Sequence, residues 1–235
     1  MRTQSFIFFH QQDHYFKFKR SKKFAALPNL RFVFLGHREA GALTGMEDVI
    51  ISRNLPVNIE GYPGLTAFTG WYSLHHNDLI DGDYVNLFEY DIDLVDDFWG
   101  LVEKELATSP DFIGYVPVPL DNFHYVNNII WVYRIIPAIR QEYGIDICRV
   151  VQSKVREGIV GYWSSTSNAT FKWNSFCEYM EWFGKLLDHI KDSKTAGHAF
   201  ERSLSFFYFV RNKDARIINN VLRHHQLDSH ETSYG

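Results

Sequence analysis

Short apolar runs alternate with longer amphipathic segments along this chain, and the alternation predicts an α/β fold. The runs at 5–10 and 31–36 are almost continuously apolar, as in strands that are covered on both faces. Between them, aromatic residues are interleaved with lysine and arginine, which is typical of an amphipathic helix. A strand, a helix and a second strand at the start of the chain predict a parallel βαβ unit.

The same pattern predicts the remaining elements. They are a strand at 49–51, a helix at 65–80, an apolar strand at 83–94, a helix at 98–107, a strand at 112–120, a helix at 129–143 with a kink at Pro137, a strand at 159–165, a helix at 171–190, and a helix at 199–210 that continues over 212–222. Residues 223–235 are polar, and chain ends of this kind commonly fray. We therefore expect a single domain over 1–222 and a polar tail over 223–235.

The strand at 83–94 ends in three carboxylates at every second position, Glu89, Asp91 and Asp93. Alternate residues of an extended backbone share a face, so the three side chains are predicted to point the same way. Like charges this close repel one another unless a divalent cation, a basic partner or solvent relieves them. Mg²⁺ is commonly held by one or two carboxylates together with substrate phosphates. On the residue types alone, a metal site and a solvated strand end are equally good interpretations. The next two acids, Asp96 and Asp97, fit the start of the helix that follows.

Composition narrows the class of protein. With 235 residues, of which 46% are apolar and 17% aromatic, the chain can bury a substantial core. The net charge of -4 argues against a nucleic-acid-binding surface of the basic kind. Cys148 and Cys177 lack a C-x-x-C spacing and can make at most one bridge, which favours a reducing compartment. No apolar run has the length of a signal peptide core or of a membrane helix, so we expect a soluble, cytoplasmic protein.

A basic segment near the start of the chain allows two interpretations. It contains Lys17, Lys19, Arg20, Lys22 and Lys23 among aromatic residues. These side chains fit the solvated face of an amphipathic helix, which needs no partner. They also fit a surface that meets anionic lipid or phosphate, which predicts peripheral membrane contact through Lys17–Lys23. The first interpretation is preferred because five charges beside a packed face need no further explanation.

The order of these parts, with acids at 89–93 closing an apolar strand, resembles the nucleotide-sugar glycosyltransferases of the GT-A fold. Residues 167–171 leading into 176–183 look like the "N…F…F…Y…W" passage of small polysaccharide glycosyltransferases, and 197–204 is similar to a late helix of the same enzymes. The resemblance covers most of 6–225. It implies a single-domain, GT-A-like (Rossmann-like) mixed sheet flanked by helices. It also implies transfer of a sugar from a nucleotide-diphosphate donor to a glycan or other hydroxyl acceptor.

The resemblance implies a metal site as well. Asp91 and Asp93 match the D-x-D acids that hold Mn²⁺ or Mg²⁺ against the donor diphosphate, and Glu89 stands beside them in a supporting position. His224 or His225 corresponds to the C-terminal histidine that often completes the metal shell in this family.

Further roles follow from the same resemblance. Glu201 is the implied acid that activates the acceptor, with a salt bridge to a nearby cation as its structural alternative. Asp121 is a second candidate because it follows the next strand. The ends of the first two strands, with His10, Gln11 and Arg38, are implied to bind the base and ribose. These positions make the nucleotide sugar the expected donor substrate.

Arg53 is a candidate phosphate ligand, because a guanidinium group can bind phosphate through two parallel hydrogen bonds.

Two other classes of protein compete with this interpretation. Residues 91–95 fit the D-x-D-x-[T/V] nucleophile motif of haloacid-dehalogenase-like phosphatases. Such an enzyme needs a second acidic pair, and the best match, Asp188 and Asp192, lies in a predicted helix. The other competitor is a non-catalytic, aromatic-rich binding module whose acids only steer a ligand.

Overall fold

The computed structural model describes residues 1–119, 135–158, 162–164, 167–194 and 196–225. In chain order the strands are β1 (Thr3–Phe9), β2 (Leu30–Phe34), β3 (Val49–Ile51), β4 (Tyr84–Glu89), β5 (Ile92–Leu94), β6 (Phe112–Gly114), β7 (Pro117–Pro119), β8 (Tyr162–Ser164), β9 (Ala169–Lys172), β10 (Ala215–Ile217) and β11 (Leu222–His224). The helices are α1 (Gln12–Arg20), α2 (Lys22–Ala25), α3 (Ala67–His76), α4 (Phe98–Leu106), α5 (Ile135–Tyr143), α6 (Ile147–Arg156), α7 (Trp173–Ile190) and α8 (Ala196–Arg211).

A seven-stranded, mostly parallel sheet forms the centre of the molecule, in the order β3-β2-β1-β4-β9-β6-β10. β1 runs parallel to both β2 and β4, and β2 runs parallel to β3. β9 is antiparallel to β4 and β6, so it separates the parallel half from the edge pair β6 and β10. β5 and β11 form a separate antiparallel ribbon. This mixed α/β sheet confirms the predicted fold class.

Both faces of the sheet are covered, as the continuous apolar strands predicted. Alternate residues of β1 enter different cores: Phe6 and Phe8 pack with α3, α7 and α8, whereas Ile7 and Phe9 pack with α1, α2 and α4. All four side chains are almost completely buried. No helix in the described ranges is long and apolar enough to cross a membrane.

The basic segment forms α1 and α2, and Phe18 and Phe24 anchor these helices to the core. Lys19 pairs with Asp48 at 2.6 Å, and the ammonium of Lys23 lies 3.5 Å from Asp96. The amphipathic-helix interpretation is therefore confirmed. Peripheral membrane contact remains a prediction.

The apolar run at 83–94 is not one strand. β4 ends at Glu89, the chain turns at Tyr90 and Asp91, and β5 pairs with β11 instead of extending the central sheet. The backbone N–H of His225 donates to the carbonyl of Asp91 at 2.9 Å, which ties the turn to the end of the chain. The three acids therefore do not share one strand face.

The predicted helical continuation over 212–222 is wrong. α8 ends at Arg211, Asn212 adopts φ 49°, and the following residues form β10 and β11. β10 pairs with β6, and β11 pairs with β5, so long-range pairing overrides the local helical pattern. The predicted boundary between 222 and 223 falls inside β11. A smaller correction concerns Phe171, which belongs to β9 because it pairs with Phe112 and Val85.

A glycine pair tests how tightly α3 packs on the sheet. A Cβ at Gly70 would lie 2.5 Å from Phe8 Cδ1, whereas a Cβ at Gly184 in α7 would meet nothing within 4 Å. We expect Gly70→Ala to destabilise the fold by about 1–3 kcal/mol through overpacking. Gly184→Ala should stabilise it by about 0.5–1 kcal/mol, because alanine loses less backbone entropy in a helix. Urea denaturation measures both changes, and a shift of the same sign in the two variants would contradict the packing described here.

Candidate functional site

Three ionisable side chains converge where the central sheet meets the β5–β11 ribbon: Glu89 at the end of β4, Asp91 in the turn and His224 in β11. The imidazole Nε2 of His224 lies 3.4 Å from Oδ1 of Asp91 and 3.8 Å from Oε2 of Glu89. One potential ligand atom from each residue lies within 4.8 Å of the others. Within the described residues, this Glu89–Asp91–His224 cluster is the one group of three or more such side chains that could share a metal ion.

The local fold explains how residues so distant in sequence meet. Leu94 of β5 and Leu222 of β11 are buried and directly paired, which fixes the register of the ribbon. In that register His224 lies opposite Ile92, next to the turn that carries Asp91. The pairing of Leu94 with Leu222 therefore positions His224 next to Glu89 and Asp91.

A buried asparagine holds Glu89 from the other side. Asn168, just before β9, accepts a hydrogen bond from the backbone N–H of Glu89 at 2.8 Å. Its side-chain amide donates to Oε2 of Glu89 at 3.5 Å. Asn168 is completely buried. It therefore orients both the backbone and the carboxylate of Glu89, as outer-shell hydrogen bonds do at metal sites.

The cluster is short of positive charge. Burial raises the pKa of Asp91, and the neighbouring charge of Glu89 raises it further. Burial lowers the pKa of His224, but the carboxylates of Glu89 and Asp91 outweigh that effect, so the net shift of the imidazole pKa is upward. Both shifts favour retention of protons, which is the response of a buried acidic pocket that a cation would neutralise.

Two buried polar atoms of the cluster also lack hydrogen bonds. Oδ1 of Asp91 and Nδ1 of His224 have no hydrogen-bond partner among the residues that the structure describes. Unpaired buried polar atoms are uncommon and call for an explanation such as an ion. Two carboxylates and an imidazole are suitable ligands for a divalent cation. The chemistry of the donor set therefore fits Mn²⁺ or Mg²⁺.

Asp93 lies outside the cluster. Its side chain is half exposed, its carboxylate is 3.8 Å from the ammonium of Lys23, and it pairs with Arg223 in the ribbon. The structure thus brings together Asp91 and His224 from the predicted metal set and supplies Glu89 in the position expected for Asp93. The two acids that converge, Glu89 and Asp91, are separated by one residue like the predicted pair Asp91 and Asp93, but the pair begins two residues earlier in the chain.

A cavity of about 280 Å³ adjoins the cluster at the carboxyl ends of β1, β2 and β4. Its walls include Phe8, Phe9, His10, Leu35, Gly36, Glu60, Pro63, Thr66, Ala67, Thr69, Glu89 and Tyr90. We call it the strand-end cavity. β1 lies between β2 and β4, so the order of the strands reverses at this point. In open α/β sheets, ligands bind in the crevice at such a reversal.

The residues predicted to bind base and ribose are placed unequally. His10 lines the strand-end cavity, and its ring centroid lies 4.6 Å from that of Tyr90. Gln11 is exposed, with its amide nitrogen 3.4 Å from the His10 ring. Arg38 is also exposed. Burial lowers the pKa of His10, and the nearby charge of Arg38 adds to this shift.

Arg53 has a structural role. Its guanidinium donates hydrogen bonds of 2.7 Å to the backbone carbonyls of His37 and Arg38, and thereby holds the loop after β2. Arginine has five N–H donors, so these two bonds are compatible with a contact between Arg53 and a phosphate, which stays a prediction.

Of the two candidate catalytic acids, the structure describes one. Glu201 in α8 is buried apart from 9% of its surface, and its Oε2 lies 3.5 Å from Nδ1 of His198. The charge of Glu201 contributes to the raised pKa of His224, so it acts electrostatically on the cluster. Asp121 lies outside the described residues.

Sequence reasoning missed Glu60 and did not assign a role to Asn168. Glu60 is a single acid in a segment rich in turn formers, without a motif to mark it. Asn168 stands just before a strand. An asparagine there indicates a role in orienting Glu89 only once it is known that β9 pairs with β4.

Comparison with known proteins supports the fold. No protein-family model and no curated protein sequence matches the chain. Among solved structures, the bifunctional glycosyltransferase WbbM in its apo form superposes with a TM-score of 0.65 at 14% sequence identity, over 94% of this chain and 45% of WbbM. The chain thus spans less than half the length of that neighbour. This likeness shows a GT-A-like glycosyltransferase fold, as predicted.

A more distant neighbour is the galactosyltransferase LgtC in complex with donor and acceptor sugar analogues. It has a TM-score of 0.42 at 13% identity, over 92% of this chain and 73% of LgtC. Because that TM-score is low, LgtC carries no weight in the fold assignment.

Proposed function

We propose that this protein is a metal-dependent glycosyltransferase, which moves a sugar from a nucleotide-diphosphate donor to a hydroxyl group of a glycan or other acceptor. The observation that carries the proposal is the convergence of Glu89, Asp91 and His224 beside the strand-end cavity. It is supported by the GT-A-like fold that the chain shares with a glycosyltransferase.

Glu89, Asp91 and His224 would hold Mn²⁺ or Mg²⁺. With three protein ligands, the ion would keep room for diphosphate oxygens of the donor. The imidazole favours Mn²⁺, because Mg²⁺ prefers oxygen ligands. When bound, the ion would offset the negative charge of the departing diphosphate.

The chain supplies the other functions. Asn168 keeps the carboxylate of Glu89 oriented. Glu201 would accept the proton of the acceptor hydroxyl, with Asp121 as the alternative base. His10, with Gln11 and Arg38 close by, would contact the base and ribose of the donor. Arg53 would hold the loop that carries Arg38 and reach a phosphate from there.

A haloacid-dehalogenase-like phosphatase has less support. Such an enzyme needs a second acidic pair next to the nucleophile Asp91. Asp188, one of the predicted pair, is exposed on α7 and forms an ion pair with Lys191 at 2.5 Å. The side chains that do converge on Asp91 are Glu89 and His224.

The interpretation as a binding module requires aromatic side chains at the surface, where they could contact a ligand. Large aromatic side chains such as Trp71, Tyr179 and Trp182 are instead buried in the core, so this interpretation has less support.

The proposal is tested by the melting temperature of the protein with Mn²⁺ and with UDP-, GDP- or dTDP-sugars. A ligand present at about 100 times its Kd stabilises the folded state by about 2.7 kcal/mol. For a protein of this size that is a rise of about 5–10 °C. We expect one nucleotide family to produce this rise with Mn²⁺ and to lose most of it in EDTA.

The controls are the free sugar and inorganic phosphate, which should not shift the melting temperature. No response to any of the nucleotide sugars, with or without Mn²⁺, would remove the main support for the proposal. Release of phosphate from a sugar phosphate would favour the phosphatase instead.

A further inference from the structure

The carboxyl group of Glu60 is buried in the wall of the strand-end cavity, and only 3% of the residue is exposed. Its Oε2 accepts a hydrogen bond from the backbone N–H of Gly36 at 2.8 Å. Its Oε1 is buried and has no hydrogen-bond partner in the part of the chain that the structure describes. Leaving a buried acceptor unpaired is costly, so this oxygen indicates a ligand that donates a hydrogen bond.

The surroundings of Glu60 restrict the chemistry of that ligand. Phe8, Leu35 and Ala67 line the same cavity as the carboxyl group and give it apolar walls, which favour a flat or partly apolar ligand. Glu89 of the metal cluster also lines this cavity. A ligand that fills the space therefore combines a donor-bearing, partly apolar part that meets Glu60 with a part that can reach the metal site at Glu89. A nucleoside attached to a diphosphate has this arrangement.

We propose that Oε1 of Glu60 accepts a hydrogen bond from the nucleoside of the donor, either from an N–H group of the base or from a ribose hydroxyl. Glu60 would then be a specificity-determining residue, which selects the nucleotide and takes no part in the transfer itself. This inference rests on the proposed function, because it needs a nucleotide in the strand-end cavity.

Glutamine is the informative replacement. In Glu60→Gln the side-chain oxygen can keep the hydrogen bond from Gly36, which turns the amide –NH₂ towards the cavity. The group that faces the ligand thereby changes from an acceptor to a donor, at nearly constant volume. A base N–H cannot accept from this –NH₂, whereas a ribose hydroxyl can.

The experiment is titration calorimetry of UDP, GDP and dTDP, each with Mn²⁺, against the wild-type protein and Glu60→Gln. A hydrogen bond to a charged group corresponds to about 10- to 100-fold in Kd, so the variant should bind the preferred nucleotide more weakly by this factor if the donor is a base N–H. If the donor is a ribose hydroxyl, the loss should be smaller, because the hydroxyl can accept from the amide. The matched control is Glu103→Gln, an exposed residue of α4 on the opposite face of the sheet, which should leave Kd unchanged.

Nucleotide analogues test the same contact in the wild-type protein, so the result does not depend on how the variant folds. The analogues carry a methyl group on the base N–H, or lack the 2′ or the 3′ hydroxyl. A loss of affinity for the methylated base assigns the contact to the base, and a loss for a deoxy analogue assigns it to the ribose. Unchanged affinity for all of them overturns the role of Glu60, whatever the variant does.

Failure of the wider proposal gives a different result. If the wild-type protein binds no nucleotide, the proposed function and the role of Glu60 fall together. If it binds a nucleotide, but neither methylation of the base N–H nor removal of a ribose hydroxyl changes the affinity, the role of Glu60 alone is overturned.

Discussion

Asp91→Asn is expected to abolish the Mn²⁺-dependent binding of the nucleotide sugar and to lower turnover by at least about 10³-fold, whereas Asp93→Asn should leave both unchanged. The two variants should differ because the two side chains lie in different surroundings. Asp91 is 12% exposed and lies 3.4 Å from His224, whereas Asp93 is 50% exposed and faces Lys23. Asparagine keeps the shape of the side chain and removes the charge that a cation needs.

The same substitution should not lower the melting temperature of the metal-free protein. Burial and the charge of Glu89 raise the pKa of Asp91, which means that its ionised form is unfavourable in the folded state. Removing the charge relieves that cost, so activity and stability should respond in opposite directions. This behaviour is typical of residues that are kept for function.

Asp93→Asn is the matched control, because it is the same chemical change two residues along the chain. Thermal shift with Mn²⁺ and donor, followed by kcat for transfer, measures both variants. Equal losses in Asp91→Asn and Asp93→Asn would mean that the acids act as neighbours on a single strand, contrary to the turn at Tyr90 and Asp91.

Glu201→Gln should lower kcat by about 10²- to 10⁴-fold while donor binding is retained, because a general base acts on the acceptor and not on the nucleotide. Glu201 is nearly buried and influences the pKa of His224, which places its charge near the reacting groups. The lower kcat together with retained donor binding separates a general base from a purely structural glutamate, whose loss would weaken the fold and the donor site as well.

Glu178→Gln is the control for this experiment. Glu178 on α7 forms a surface ion pair with Lys213 at 2.8 Å, and such pairs contribute about 0–1 kcal/mol. Its loss should leave kcat unchanged. A Glu201 variant with wild-type kcat would transfer the role of base to another acid, and Asp121→Asn is the next variant to measure.

The sequence predicted the parallel half of the sheet well. β1, α1, β2 and β3 are found close to their predicted positions, because long apolar runs and an amphipathic helix are local signals that tertiary contacts reinforce. The helix α7 was predicted for the same reason, although the predicted helix began two residues too early, at Phe171. These elements place the strand ends, and hence the region in which a ligand site is expected.

The failures concern segments whose structure depends on distant partners. Residues 212–222 have an apolar pattern compatible with a helix, yet they extend towards β6 and β5 because unpaired edges are available there. The turn at Tyr90 and Asp91 follows from the same ribbon. No local signal indicates which residue near 223 pairs with which residue near 93, so neither the turn nor the ribbon could be read from one chain.

The sequence by itself determined the class of fold and the acidic end of the fourth strand, and its resemblance to a known family added a histidine from 224–225 as a metal ligand. Only the tertiary structure decided that Glu89 and Asp91, and not Asp93, meet His224, because the register of β5 against β11 sets which side chains converge. It also revealed Glu60, since an unpaired carboxylate oxygen acquires meaning only when the walls of a cavity surround it.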